Sequence, residues 1–154
     1  MMVNKTNRSF RLPKDPIMTI GVASKILHIS PGTLRMYEKE GILITFRTRT
    51  GRRMYSQDDL DWIISIRKLI TEHKMNIAGI RRLLAILPCW DLCECSEDEH
   101  ENCSAYLRND KVCWQMSDTP CRKKNIDCYS CPVYRMAPRI DNLKLDLDIS
   151  LRKS

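Results

Sequence analysis

All eight cysteines of this chain fall between Cys89 and Cys131, and the 88 residues before them contain none. No other feature restricts the fold so much. A short segment this rich in thiols is held by disulfides, which need an oxidising compartment, or it uses metal or redox chemistry. The N-terminal residues MMVNKTNRSFRLPKDP carry scattered positive charge but no apolar run of the secretory kind. No stretch approaches the ~18 apolar residues that would span a membrane. The expectation is a cytoplasmic protein with no membrane partner, whose cysteines serve metal or redox chemistry.

Charge divides the chain at the same place. Residues 1–88 carry 16 Lys/Arg against 7 Asp/Glu, whereas residues 89–154 carry 10 against 12. The basic half is the one suited to a polyanionic partner.

Within that half, helix punctuation is dense. Residues 1–16 are polar, with Pro13 and Pro16, and read as a flexible arm. Thr19 caps a first helix with Ile20, Ala23 and Leu27 on one face, and His28-Ile29 makes the turn. Ser30-Pro31 opens a second helix over residues 33–39, and Gly41 ends it. Two short helices joined by a tight turn form a helix-turn-helix, in which the second helix enters a major groove. Residues 42–55 then change period. Two β-prone pieces flank Thr50-Gly51, and Arg47, Arg49, Arg52 and Arg53 cluster at the tip, so the segment reads as a basic hairpin wing. Ser56 caps a third helix, with Asp58 and Asp59 complementing its dipole. Leu60, Trp62, Ile63, Ile64, Ile66, Leu69 and Ile70 cover much of its cylinder, which makes it the core helix. Asn76 caps a fourth helix striped with Ile77, Ile80, Leu83, Leu84 and Leu87, and Pro88 closes the domain.

The ordered residues Thr33-Leu34-Arg35-x-Tyr37-Glu38-x-x-Gly41-Ile42-Leu43, Gly51-x-Arg53-x-Tyr55-Ser56-x-x-Asp59-Leu60 and Asn76-Ile77-Ala78-Gly79-Ile80 resemble the DNA-binding domain of MerR-type regulators. The last segment looks most like the branch holding the heat-shock and glutamine-metabolism repressors. The resemblance implies a transcription regulator that acts on double-stranded DNA as a homodimer, with RNA polymerase as a further partner, and no enzyme activity. It also implies that Arg35 and Tyr37 on the second helix, and Arg53 and Tyr55 on the wing, contact DNA, with Thr33 and Arg52 behind them. Arginine pairs bidentately with guanine or phosphate, and tyrosine can donate to a phosphate oxygen. The alternative for both tyrosines is a packing role. Regulators of this type continue into a long dimerising helix, but Pro88-Cys89 interrupts it here.

Beyond Pro88, residues 89–136 form an imperfect tandem repeat. Cys89-Trp90 recurs as Cys113-Trp114, and Cys103-x-x-Tyr106 recurs as Cys131-x-x-Tyr134. Each copy holds four cysteines, the number one tetrahedral zinc or one iron–sulfur cluster requires. The repeat therefore predicts two ligand sets: Cys89, Cys93, Cys95 and Cys103, then Cys113, Cys121, Cys128 and Cys131. Only Cys128-x-x-Cys131 has zinc-knuckle spacing. The first set loosely resembles the cluster loop of the redox-sensing MerR branch, and the whole pattern resembles a cysteine-rich module appended to bacterial sensory proteins. An iron–sulfur cluster, zinc and a thiol–disulfide switch all stay open, as does a purely structural metal. His100, in an acidic run, reads as solvated. In the tail of residues 137–154, Leu143, Leu145, Leu147, Ile149 and Leu151 alternate with polar residues, the period of a strand that pairs with a sheet or another chain.

The expected architecture is thus mainly α: four helices and a β-hairpin wing over residues 17–88, followed by a small metal-stabilised cysteine-rich module. Two rival functions share these features. One is an architectural, excisionase-like DNA-binding protein with structural cysteines, and the other is a redox electron-transfer protein.

Overall fold

The computed structural model of the chain describes residues 15–93 and 95–142, with no side-chain description at 141 and 142. Most of the expected arm and the alternating tail at residues 143–151 lie outside the described residues.

Strand β1 (Met18–Thr19) leads directly into helix α1 (Ile20–Leu27), whose first turn is closed by Thr19 Oγ1 accepting from Val22 N. The helix stops at His28 in the left-handed region, φ 52°. Ser30 Oγ accepts from Thr33 N at 3.1 Å, and Pro31 opens helix α2 (Pro31–Lys39) where its missing N–H costs nothing. Gly41, at φ 78°, turns the chain out of α2.

The wing is the expected hairpin: β2 (Phe46–Arg47) pairs antiparallel with β3 (Arg53–Tyr55) around Gly51, which sits at φ 83°. The sequence reading did not include β1, which pairs with the other side of β3 and places Met18 opposite Tyr55 in the order β1-β3-β2. Two residues are too few to show a period. Helix α3 (Gln57–Thr71) begins with a reciprocal capping box between Ser56 and Asp59, and α4 (Ile77–Ala85) begins on the Asn76 side chain.

Leu34, Ile42, Leu60, Trp62, Ile63, Ile66 and Ile80 form the centre of the core. Helix α3 is not apolar all round, because Ile64 points outward. Beyond Pro88 come α5 (Cys89–Leu92), α6 (Glu97–Glu101), α7 (Ser104–Leu107), a 3-10 turn (Cys113–Gln115), α8 (Pro120–Lys123), α9 (Pro132–Met136) and a 3-10 segment (Ala137–Asn142) that packs on α3 and α4. Val112, Trp114, Tyr129, Val133, Tyr134, Ala137 and Ile140 join the same hydrophobic cluster as Leu43 and Leu60. The break at Pro88 is therefore a break in composition and not in packing. No helix among the described residues is long and apolar enough to cross a membrane.

Candidate nucleic-acid face and cysteine cavity

Arg35 projects from α2 into solvent, as do Arg49 and Arg52 from the wing, and none of the three has an acidic partner among the described residues. Thr33 is half-buried, and its hydroxyl is 2.9 Å from Ser30 Oγ at the start of the helix. Arg53 is held: its Nε donates to Glu38 Oε2 at 2.5 Å while Arg47 donates to Oε1 at 2.9 Å. Glu38 on α2 thus clamps both wing strands, a role the sequence reading did not give it. Arg47 also donates to the Gly51 carbonyl, closing the wing turn. Between the start of α1 and the wing lies a groove of 420 Å3, lined by Thr19, Ile20, Gly21, Gly51, Arg52 and Arg53.

The two tyrosines sit elsewhere. Tyr55 is fully enclosed and Tyr37 nearly so, and burial raises both phenols above their ordinary pKa. As placed, neither presents its ring to a ligand on the wing face. This geometry favours the packing role.

The segment joining α2 to the wing is irregular and largely buried, so its backbone groups need partners. Side chains supply them. Trp62 donates to the Ile42 carbonyl at 2.8 Å. From the cysteine-rich segment, Trp114 donates to the Gly41 carbonyl at 2.7 Å, and Tyr134 Oη accepts from Ile44 N at 2.9 Å and donates to the Ile44 carbonyl at 3.2 Å. Tyr129 donates to Asp59 Oδ2 at 2.7 Å and reaches the capping box of α3, with the Arg135 guanidinium 4.2 Å above its ring. Burial lifts the Asp59 pKa, opposed by hydrogen bonds from Ser56 and Tyr129 and by the charge of Arg135. Trp114, Tyr129 and Tyr134 each lie within three residues of a cysteine.

The tandem repeat is also a repeat in space. Trp90 packs edge-on against Tyr106 with centroids 5.3 Å apart, and Trp114 packs the same way against Tyr134 at 5.2 Å. The second pair is buried against the helix-turn-helix, while the first is partly exposed. Between them is one cavity of 30 Å3, lined by Cys89, Cys93, Cys95, Cys103, Cys113, Cys121, Cys128 and Cys131. The two expected ligand sets therefore border one common space. All eight cysteines are free thiols, and Cys93 Sγ is 3.7 Å from Cys131 Sγ, across the repeats. Burial, then the neighbouring sulfurs, pushes the Cys89 thiol up to about 11, and the Cys93 and Cys113 thiols upward as well. His100 lines the cavity, with its ring 4.9 Å from that of Tyr106, so it is less solvated than its acidic neighbours suggested. Among the described residues, no three His, Cys, Asp or Glu side chains converge as a ready-made site for one metal ion. The thiols instead ring a space. A lining this rich in soft thiol sulfur suits zinc or iron–sulfur chemistry.

Comparison with known proteins agrees with the geometry of the basic half. Residues 18–86 match the family described as MerR HTH family regulatory protein. The chain is 29% identical over 86 residues to the putative heat shock protein HspR of Streptomyces coelicolor, a match covering 55% of this chain and 57% of that one. It is 30% identical over 69 residues to the HTH-type transcriptional regulator GlnR of Bacillus anthracis, covering 45% and 53%, and equally to GlnR of Bacillus cereus. The chain thus spans little more than half the length of these relatives. Capped helices, wing and matched residues coincide: residues 18–86 are a MerR-family helix-turn-helix domain.

Proposed function

We propose that this chain is a transcription regulator that binds double-stranded DNA sequence-specifically through α2 and the wing, working in the cytoplasm. The observation that carries the reading is the set of exposed cations Arg35, Arg49 and Arg52, without an acidic partner among the described residues, on two elements that Glu38 holds together. Arg35 lies on the helix that reads base edges, and the wing arginines suit phosphate. One such helix reads too few base pairs for useful specificity, so a homodimer on a near-palindromic site is the expected assembly, with RNA polymerase as its promoter partner.

In the same proposal the cysteine cavity holds a metal or redox centre that governs how α2 and the wing are presented. The bonds from Trp114 to Gly41 and from Tyr134 to Ile44 support this, because both donors also line the cavity. The shared core equally favours a purely structural centre. Metal removal distinguishes the two, since only a regulatory centre changes DNA affinity while the fold persists.

The test is selection of duplexes by the intact protein, followed by Arg35→Ala. The substitution should cost about 1–3 kcal/mol on the preferred site and much less on other sequences. Equal affinity of wild type and variant for the selected duplex would sink the assignment.

A further inference from the structure

We propose that the two cysteine repeats build one interlocked metal–thiolate centre, in which Cys93 of the first copy and Cys131 of the second are ligands of the same metal atom. The inference deepens the metal reading given above, and rests on it. Sequence symmetry would put these two sulfurs in different sites, but the fold places them 3.7 Å apart. Two thiolates about 2.3 Å from one tetrahedral metal stand about 3.8 Å from each other, so this pair already has the spacing of one edge of a coordination tetrahedron. Zinc and a thiolate-ligated iron atom share that tetrahedral chemistry.

Other contacts cross the repeats in the same sense. Cys121, from the second copy, shares a second hollow with Cys93 and Cys95 of the first. All eight thiols border a single cavity. Thiols from both copies therefore surround a common space. On ligation each participating thiol releases its proton to solvent and binds as thiolate. Tyr106, from the first aromatic pair, and both Trp114 and Tyr134 of the second line this space, so each repeat contributes aromatic wall to it.

The experiment uses the full chain purified without oxygen, with iron, zinc and acid-labile sulfide counted per chain to separate the two metal sources. Cys93→Ser, Cys131→Ser and the double variant are then compared. The sharing predicts that each single variant loses the same metal complement and that the double variant loses no more than either. Losses that add would overturn the sharing while leaving a metal in each repeat. A metal-free wild-type chain with eight alkylatable thiols would overturn the metal reading itself, and DNA affinity measured in parallel reports on the regulator reading independently.

Should a serine variant fail to fold, the unmodified chain gives a second reading. After chelation, diamide should cross-link Cys93 to Cys131: the two thiols give up two protons and two electrons, the S–S bond forms, and diamide is reduced to its hydrazine. Peptide mapping should find that bond in the stripped chain and not in the metal-loaded one. Disulfides formed only within each repeat would overturn the proposal.

Discussion

Trp114 donates its indole N–H to the carbonyl of Gly41, 73 residues earlier, across a buried distance of 2.7 Å. Trp114→Phe keeps the ring and removes the donor, leaving that carbonyl unsatisfied. The substitution should cost about 1–3 kcal/mol in denaturant unfolding of the full chain. An unchanged midpoint would show that water reaches Gly41.

Gly41 itself meets two constraints. It sits at φ 78°, and a Cβ added there would overlap the Gln115 side-chain amide. Gly41→Ala should therefore destabilise the fold by about 1–2 kcal/mol through the left-handed backbone alone. Pairing it with Gln115→Ala should recover the part due to overlap. A double variant no more stable than the single would assign the whole cost to the backbone.

Glu38 pairs with two wing arginines. Glu38→Gln should change stability by no more than about 1 kcal/mol, because the pairs are part-exposed. Released, Arg47 and Arg53 become available to phosphate. The slope of log affinity against log salt on any duplex should steepen by about one to two units. A slope that stays the same would mean the clamp persists without the charge.

Buried phenols give a sharp contrast between reading the sequence and seeing the fold. Tyr37→Phe and Tyr55→Phe should leave duplex affinity unchanged, since both residues are buried. A loss comparable to that of Arg35→Ala, measured by titration on the same duplex, would restore them to the interface.

Asp59 ties stability to pH. Its pKa is raised by burial, so the folded chain holds that proton more tightly than the unfolded chain does. The corresponding stability is present below the ordinary carboxylate pKa and is lost as pH climbs from there through the folded value. Measured against Asp59→Asn, which cannot titrate, the wild type should lose relative stability across that window and level off above it. A relative gain with rising pH would mean that the Arg135 charge, 3.6 Å from Oδ1, outweighs desolvation.

What the sequence revealed follows the range of the forces involved. The caps at Thr19, Ser30, Ser56 and Asn76 were legible because each bond closes within three residues. The repeat was legible too, and its Trp and Tyr anchors proved to be matched aromatic pairs. The orientation of Tyr37 and Tyr55 was not legible, because a tyrosine at helical or strand spacing reads alike whether its ring faces solvent or core. Nor were the ties from Trp114 and Tyr134, whose partners lie 73 and 90 residues away. Copies similar in sequence suggested self-contained sites, and only tertiary packing brings Cys93 to Cys131.

The side-chain partners of the backbone at Gly41 and Ile44 come from a part of the chain made much later. When residue 88 is added to the growing chain, both helices of the helix-turn-helix and the wing have been synthesised, yet Trp114 and Tyr134 have not. Until they arrive, the joint between reading helix and wing has polar backbone groups with only water to bind. The bonds that close the joint at Gly41 and Ile44 thus form only after the cysteine-bearing segment has been made.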